Sequence, residues 1–269
     1  MRTPRARMVV TLGVMLAVAV GAAPAVSSSA VTGQQSAETG RVHPIDVPGQ
    51  PTPVEGVDQR LPALSALHRY SAGAQFADEI RAYRSSGQFA LDQRAVAEQA
   101  RAFLATWLVD TCGDTSQAAC RPAAVFDIDD TLLSWYVPYS QHDFSLPSGL
   151  GAAIVRSCRT PAISATRSLL DAAKSLGASV FLLSGRDEDT RADTEACLRK
   201  RGISGWDELV LRSPTQAQLT ALEFKTATRA RWTKQGWRLA FTIGDQVSDV
   251  TGGYVAKGFL LPNPMYLIP

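Results

Sequence analysis

From Ala123 onward the chain alternates between short apolar runs and helical stretches, and this alternation constrains its fold more than any other feature. The runs are Ala123–Phe126, Ala178–Leu183, Glu208–Arg212 and Arg238–Ile243, with a further candidate at Gly258–Leu261. Helical stretches lie between them, over Ile163–Leu176, Glu188–Arg201 and Thr226–Gln235. Gly202 and Gly236 stop the last two, and Thr160-Pro161 offers a cap for the first. Runs this short and apolar read as strands buried on both faces, and helical connections make neighbouring strands parallel. The expectation is an α/β fold: a mainly parallel sheet between two layers of helices, with its chemistry at the carboxyl ends of the strands.

The rest of the chain frames that unit. Residues 1–25 have the tripartite pattern of an export signal: basic Arg2, Arg5 and Arg7, an uncharged apolar run from Met8 to Ala23, then Ala23-Pro-Ala25 for cleavage. Ser28-Ser-Ala30 is a second cleavage candidate. The apolar run is short for the hydrocarbon core of a bilayer, so a cleaved leader and a secreted product are expected, with no membrane partner afterwards. Without the leader the chain holds 24 basic and 25 acidic residues, a net charge of −1. That balance gives no electrostatic case for a nucleic-acid polymer as partner. Residues 26–72 read as a Pro-rich linker without apolar periodicity, and 73–269 as the folded domain. Its first part carries helical spacing at Phe76, Ile80 and Tyr83. A longer stripe follows at Val96, Ala100, Phe103, Leu104, Trp107 and Leu108, read as core packing. The cysteines Cys112, Cys120, Cys158 and Cys197 suit an oxidising compartment. Four cysteines allow three pairings; Cys112–Cys120 with Cys158–Cys197 is favoured, because the first pair closes an evident local loop.

Three of the strand ends carry unusual residues. The first gives Phe126-Asp-Ile-Asp-Asp-Thr131, three acids directly after an apolar strand. Their repulsion and desolvation are costly without a cation or hydrogen bonds. Asp127 and Asp129 can reach one site from neighbouring points of a loop, one as metal ligand and nucleophile, the other as proton carrier. The second end gives Leu183-Ser-Gly-Arg186, where Ser184, Gly185 and free backbone N–H groups make an anion site. Lys225, expected at the start of a helix, can neutralise an anion. The fourth strand ends in Ile243-Gly-Asp-Gln-Val-Ser-Asp249, where Gly244 permits a tight turn and Asp245 and Asp249 offer hard oxygens that suit Mg²⁺.

The order of these groups resembles the four motifs of the haloacid-dehalogenase-like (HAD) superfamily hydrolases. More narrowly, the chain looks like the secreted acid phosphatase branch, subfamily IIIB, which includes bacterial class B enzymes and plant vegetative-storage-like proteins. The narrower likeness rests on Val125-Phe-Asp-Ile-Asp-Asp-Thr-Leu-Leu133, Gly205-Trp206, Gly244-Asp-Gln-Val-Ser-Asp249 and Leu261-Pro-Asn-Pro-Met-Tyr266. The resemblance implies a three-layer Rossmann-like core with N-terminal helices and at most a small cap. It implies Asp127 as nucleophile, Asp129 as general acid and base, and Mg²⁺ held by Asp127, the Asp129 carbonyl and Asp245, with Asp249 bound directly or through water. Ser184, Gly185 and Lys225 would bind phosphate, with Thr131 and Arg186 as further candidates. The implied substrate is a small phosphate ester, with nucleotides included. A storage or binding protein on the same fold and a phosphotransferase are the alternatives. The segment Ser134–Arg159, read as a loop, places Trp135, Tyr136, Tyr139, His142 and Phe144 where they would cover the site or pack the loop onto the sheet.

Overall fold

The computed structural model describes residues 52–56, 70–113 and 116–268. The expected leader, and all of the expected linker except residues 52–56 and 70–72, lie outside the described residues. The strands are β1 (Val54–Gly56), β2 (Tyr70–Ser71), β3 (Pro122–Phe126), β4 (Ser179–Asp187), β5 (Glu208–Arg212), β6 (Arg238–Gly244), β7 (Lys257–Leu260) and β8 (Tyr266–Leu267). The helices are α1 (Ala77–Ser85), α2 (Gln88–Cys112), α3 (Gln117–Cys120), α4 (Tyr136–Ser140), α5 (Leu150–Ser157), α6 (Ser164–Ser175), α7 (Arg191–Lys200), α8 (Ala221–Lys234) and α9 (Val247–Val250). Six strands form one sheet in the order β1-β7-β6-β3-β4-β5, and every pairing is parallel.

Strand β3 shows why the sequence folds this way. All of its residues are buried. Ala124 and Phe126 enter the core beneath α2 and α6, while Ala123 and Val125 enter the core on the opposite face, with Phe224 and Trp232 of α8. The side chains of a strand alternate between faces, so a strand covered on both sides must be apolar throughout. The stripe on α2 packs as expected: Val96, Ala100 and Leu104 are fully buried, with Phe103, Trp107 and Leu108 at the margin.

From β3 the chain winds one way to β4 and β5, then crosses to β6 and β7 on the other side. Such a reversal leaves a crevice beyond the carboxyl end of the strand where it occurs. The first two acids of the 127–131 stretch follow β3 directly, and the Asp127 N–H extends the ladder by donating to Ile243 O at 3.0 Å.

Several expectations need correction. Residues 54–56 sit in the stretch read as linker, yet they form β1, which pairs with β7. β4 continues to Asp187, so Ser184-Gly-Arg186 lies on the strand itself, across a register shift. Helix α8 starts at Ala221, capped by Thr220 and Glu223 bonding each other's backbone N–H groups. Lys225 therefore sits inside the helix, past its first turn, rather than at its start. Thr160-Pro161 precedes α6 without capping it; Ile163 is the N-cap residue, and Pro161 O accepts the Ser134 N–H at 2.8 Å. Ser134–Arg159 holds two helices, α4 and α5. The disulfides are Cys112–Cys120 and Cys158–Cys197, the favoured pairing. Among the described residues, no helix is long and apolar enough to cross a membrane.

Candidate active site

A cavity of about 330 Å³ opens beyond the carboxyl ends of β3, β4 and β6. Its floor is Asp127, Ser184, Lys225, Asp245 and Asp249. Asp127 and Asp245 follow the ends of β3 and β6, Ser184 lies on β4, and Lys225 and Asp249 sit on α8 and α9; all five are buried. Lys225 Nζ donates to Asp127 Oδ1 at 2.7 Å and also to Asp249 Oδ1. Asp249 is held on its other side by the Gln246 N–H, which donates to Oδ2 at 2.9 Å. Asp245, Asp127 and Asp249 each place one oxygen within 4.8 Å of the others.

Burial raises the proton affinity of Asp127 well above the ordinary carboxylate range; Lys225 pulls it down, and Asp249, Asp245 and Asp129 push it further up. Asp245 is likewise raised by burial, then by Asp249 and Asp130, against hydrogen bonds from Asn263 and Gln246. Carboxylates so placed are short of positive charge. Lys225 is the one cation paired with the carboxylates of this trio among the described residues. Three hard oxygens facing one point fit a divalent cation such as Mg²⁺.

Asp129 stands apart from that trio. Arg186 forks onto it, Nε donating at 3.0 Å to Oδ2 and Nη2 at 2.6 Å to Oδ1. The Trp135 indole N–H donates to the same Oδ1. Ser184 Oγ lies 3.5 Å from Oδ2 and accepts the Arg186 N–H at 3.2 Å. Arg186 Nη1 is anchored on Thr194 Oγ1 at 3.1 Å. Burial opposes the Arg186 charge, but Asp129 outweighs it and the guanidinium is more strongly protonated than usual.

Residues 68–269 match the family described as HAD superfamily, subfamily IIIB (Acid phosphatase). The chain belongs to this family. Among curated relatives, the stem 28 kDa glycoprotein of Glycine max is 37% identical over 54% of this chain and 59% of its own length. Acid phosphatase 1 of Solanum lycopersicum is 35% identical over 55% of this chain and 60% of its own. Vegetative storage protein 1 of Arabidopsis thaliana is 29% identical over 54% and 55%. The chain thus spans somewhat over half the length of the curated relatives it matches. The class C acid phosphatase of Bacillus anthracis has the same fold, with a TM-score of 0.54 at 18% identity, over 72% of this chain and 85% of that one.

In this subfamily IIIB member, eight of the nine residues singled out from sequence line one cavity: Asp127, Asp129, Ser184, Gly185, Arg186, Lys225, Asp245 and Asp249. The ninth, Thr131, does not. It is fully buried, and its hydroxyl lies 3.5 Å from Asp245 Oδ1, so it backs a wall instead of facing phosphate. The aromatic segment divides. Trp135 lines the cavity, and Gly151, Ala152 and Val155 of α5 extend an apolar wall beside it. Tyr139 stacks on Tyr266, while Tyr136 and Phe144 pack together. Sequence reasoning gave no role to Gln246, Asn263 or Tyr266. The first carried a signal, because it directly precedes the short helix on which Asp249 sits. The other two lie beyond β7 in a stretch without periodicity.

Proposed function

We propose that this protein is an exported, Mg²⁺-dependent phosphomonoesterase for small organic phosphate esters, nucleotides included. The observation that carries the reading is the buried ion pair of Lys225 with Asp127, set beside a second acid, Asp129, that is held separately by Arg186. Two carboxylates with different partners in one cavity suit two tasks, nucleophile and proton carrier.

Asp127, Asp245 and Asp249 would hold the cation, with the Asp129 carbonyl as the fourth protein ligand that the family implies. When bound, Mg²⁺ supplies the positive charge that lets a carboxylate and a phosphate dianion share the site. An Asp127 oxygen attacks phosphorus as the bond to the ester oxygen breaks, giving an aspartyl-phosphate. Asp129 passes a proton to the departing alkoxide. Water then attacks the same phosphorus, Asp129 takes its proton, and inorganic phosphate leaves Asp127 as a free carboxylate. Ser184, Gly185 and Lys225 bind the phosphoryl oxygens. Trp135, Gly151, Ala152 and Val155 face the leaving group. A resident acid at Asp129 favours ester hydrolysis over carbon–halogen cleavage, since only an alkoxide needs that proton.

The test is hydrolysis of p-nitrophenyl phosphate by the oxidised protein across acid to alkaline pH, with Mg²⁺ or with EDTA, beside Asp127→Asn. We expect turnover that needs the metal and disappears in the variant. Folded protein that hydrolyses neither this ester nor a panel of nucleotides and sugar phosphates would sink the proposal. That result would favour a storage role, the one named for the Arabidopsis relative. Phosphate passing to an added alcohol in preference to water would make the protein a phosphotransferase.

A further inference from the structure

The carboxylates in the cavity are not equally supported. Asp127 and Asp249 share Lys225, and Asp129 has Arg186. Asp245 has no cation within ion-pair distance among the described residues; its partners are neutral. Asn263 Nδ2 donates to its Oδ2 at 2.6 Å, and Gln246 Nε2 donates to the same oxygen.

Which end of each amide faces Asp245 is settled by the backbone of the 263–268 segment. The Met265 N–H donates to Asn263 Oδ1 at 2.9 Å, and the Ile268 N–H donates to Gln246 Oε1 at 2.8 Å. An amide oxygen engaged by an N–H leaves its NH₂ group pointing the other way. Both NH₂ groups thus converge on one oxygen of Asp245. Among the described residues, the second oxygen, Oδ1, has only the distant Thr131 hydroxyl, at 3.5 Å. The segment is itself fixed: Tyr266–Leu267 pairs with Tyr70–Ser71, and the Ala72 N–H donates to Met265 O at 2.8 Å.

We infer that Asn263, with Gln246, is a positioning residue for the cation: the two amides commit Oδ2 of Asp245 and so turn Oδ1 toward a metal shared with Asp127 and Asp249. The inference rests on the proposed metal site, but it concerns residues behind the ligands. Partners that orient a ligand carboxylate typically account for about 10- to 100-fold in metal affinity. Their effect belongs to binding, so saturating metal restores what their loss removes.

The experiment is Mg²⁺ titration of the full oxidised chain by calorimetry, without substrate, for the unaltered protein, Asn263→Leu and Gln246→Met. Both substitutions keep approximate side-chain size and remove the donor. Thermal unfolding in EDTA reports whether the fold itself is changed. The expected result is Mg²⁺ binding weakened about 10- to 100-fold in each variant, with unfolding in EDTA little changed and turnover recovered at high Mg²⁺. Unchanged affinity in a folded variant overturns the inference. So does a variant that fails to fold and is not rescued by Mg²⁺, because the amide would then be holding the strand and not the ligand. If the unaltered chain binds no Mg²⁺, the inference and the metal site fall together. If it binds Mg²⁺ but hydrolyses no ester, only the catalytic reading fails.

Discussion

Without its ammonium group, Lys225 would leave Asp127 and Asp249 facing each other in a buried site with no shared cation. Removing one partner of a buried ion pair costs about 3–5 kcal/mol, so Lys225→Met should lower the urea midpoint sharply in EDTA as well as abolish turnover. Burial opposes the Lys225 charge, but Asp127 and Asp249 win and its proton is held more tightly than usual. Its contribution is therefore present through acid and neutral pH and is lost only as pH rises past its raised pKa. Asp130 follows the same sign at lower pH, through a proton that neutralises it. Burial lifts it to about 7, with the Trp135 N–H and the Tyr266 hydroxyl pulling down and Asp129 and Asp127 pushing up. An unfolded Asp titrates near about 4, so between those values the folded chain binds the extra proton. Stability of the metal-free protein should then fall as pH rises through that window. Urea unfolding in EDTA checks this, and Asp130→Asn should flatten the dependence; an unchanged slope in that variant would refute the assignment. Asp127, Asp129, Ser184, Lys225, Asp245 and Asp249 were legible in the sequence because each follows or interrupts an apolar pattern. Tyr266 and Asn263 stand in the quoted Leu261–Tyr266 stretch, but their roles were not legible: neither the bond from Tyr266 to Asp130 nor that from Asn263 to Asp245 follows from a local pattern.

Gly244, at the end of β6, shows a further limit of local reading. The sequence assigns it to a tight turn, yet it is absent from the residues of positive φ. Its constraint is closeness: a Cβ there would lie 2.2 Å from Asp249 Oδ2, on a side chain already fixed by Lys225 and the Gln246 N–H. Gly244→Ala must displace the carboxylate. We expect a loss of at least about 100-fold in turnover, the scale at which small misplacements of catalytic groups act. Steady-state kinetics would test it, and near-normal turnover would mean that α9 can shift freely. The start of α8, by contrast, is set by local chemistry. Thr220 and Glu223 form a capping box that was readable in the sequence, and it sets Lys225 inside the helix at the height of Asp127. Helices α4 and α5 were hidden because Pro138 and Gly151 weaken helical patterns, while Tyr139, Leu150, Ile154 and Val155 bury the two helices in a cluster around Trp135.

Across the whole chain, the central strands were legible because burial on both faces imposes unbroken apolar runs. The outer pieces were not. β1 and β2 are three and two residues long, too short for a period, and they form only because β7 and β8 offer them partners. They separate cleanly in a truncation series. A chain begun at Val57 loses β1 alone and should show a lower unfolding midpoint with Mg²⁺ affinity intact. A chain begun at Gly73 also loses β2, the partner of Tyr266–Leu267, and should bind Mg²⁺ more weakly as well. Equal affinities in the two chains would show that the 263–268 segment holds its place without β2.

The bridge between Cys158 and Cys197 has a bearing on where this chemistry can run. Cys158 is the residue that ends α5, whose Gly151, Ala152 and Val155 make the apolar wall, and Cys197 sits on α7, against the sheet. In a thiol-rich compartment that wall would have no covalent tether to the core. On the proposed reading of an exported phosphatase, the wall that faces the leaving group would gain its tether in an oxidising compartment, away from the producer's own phosphate esters.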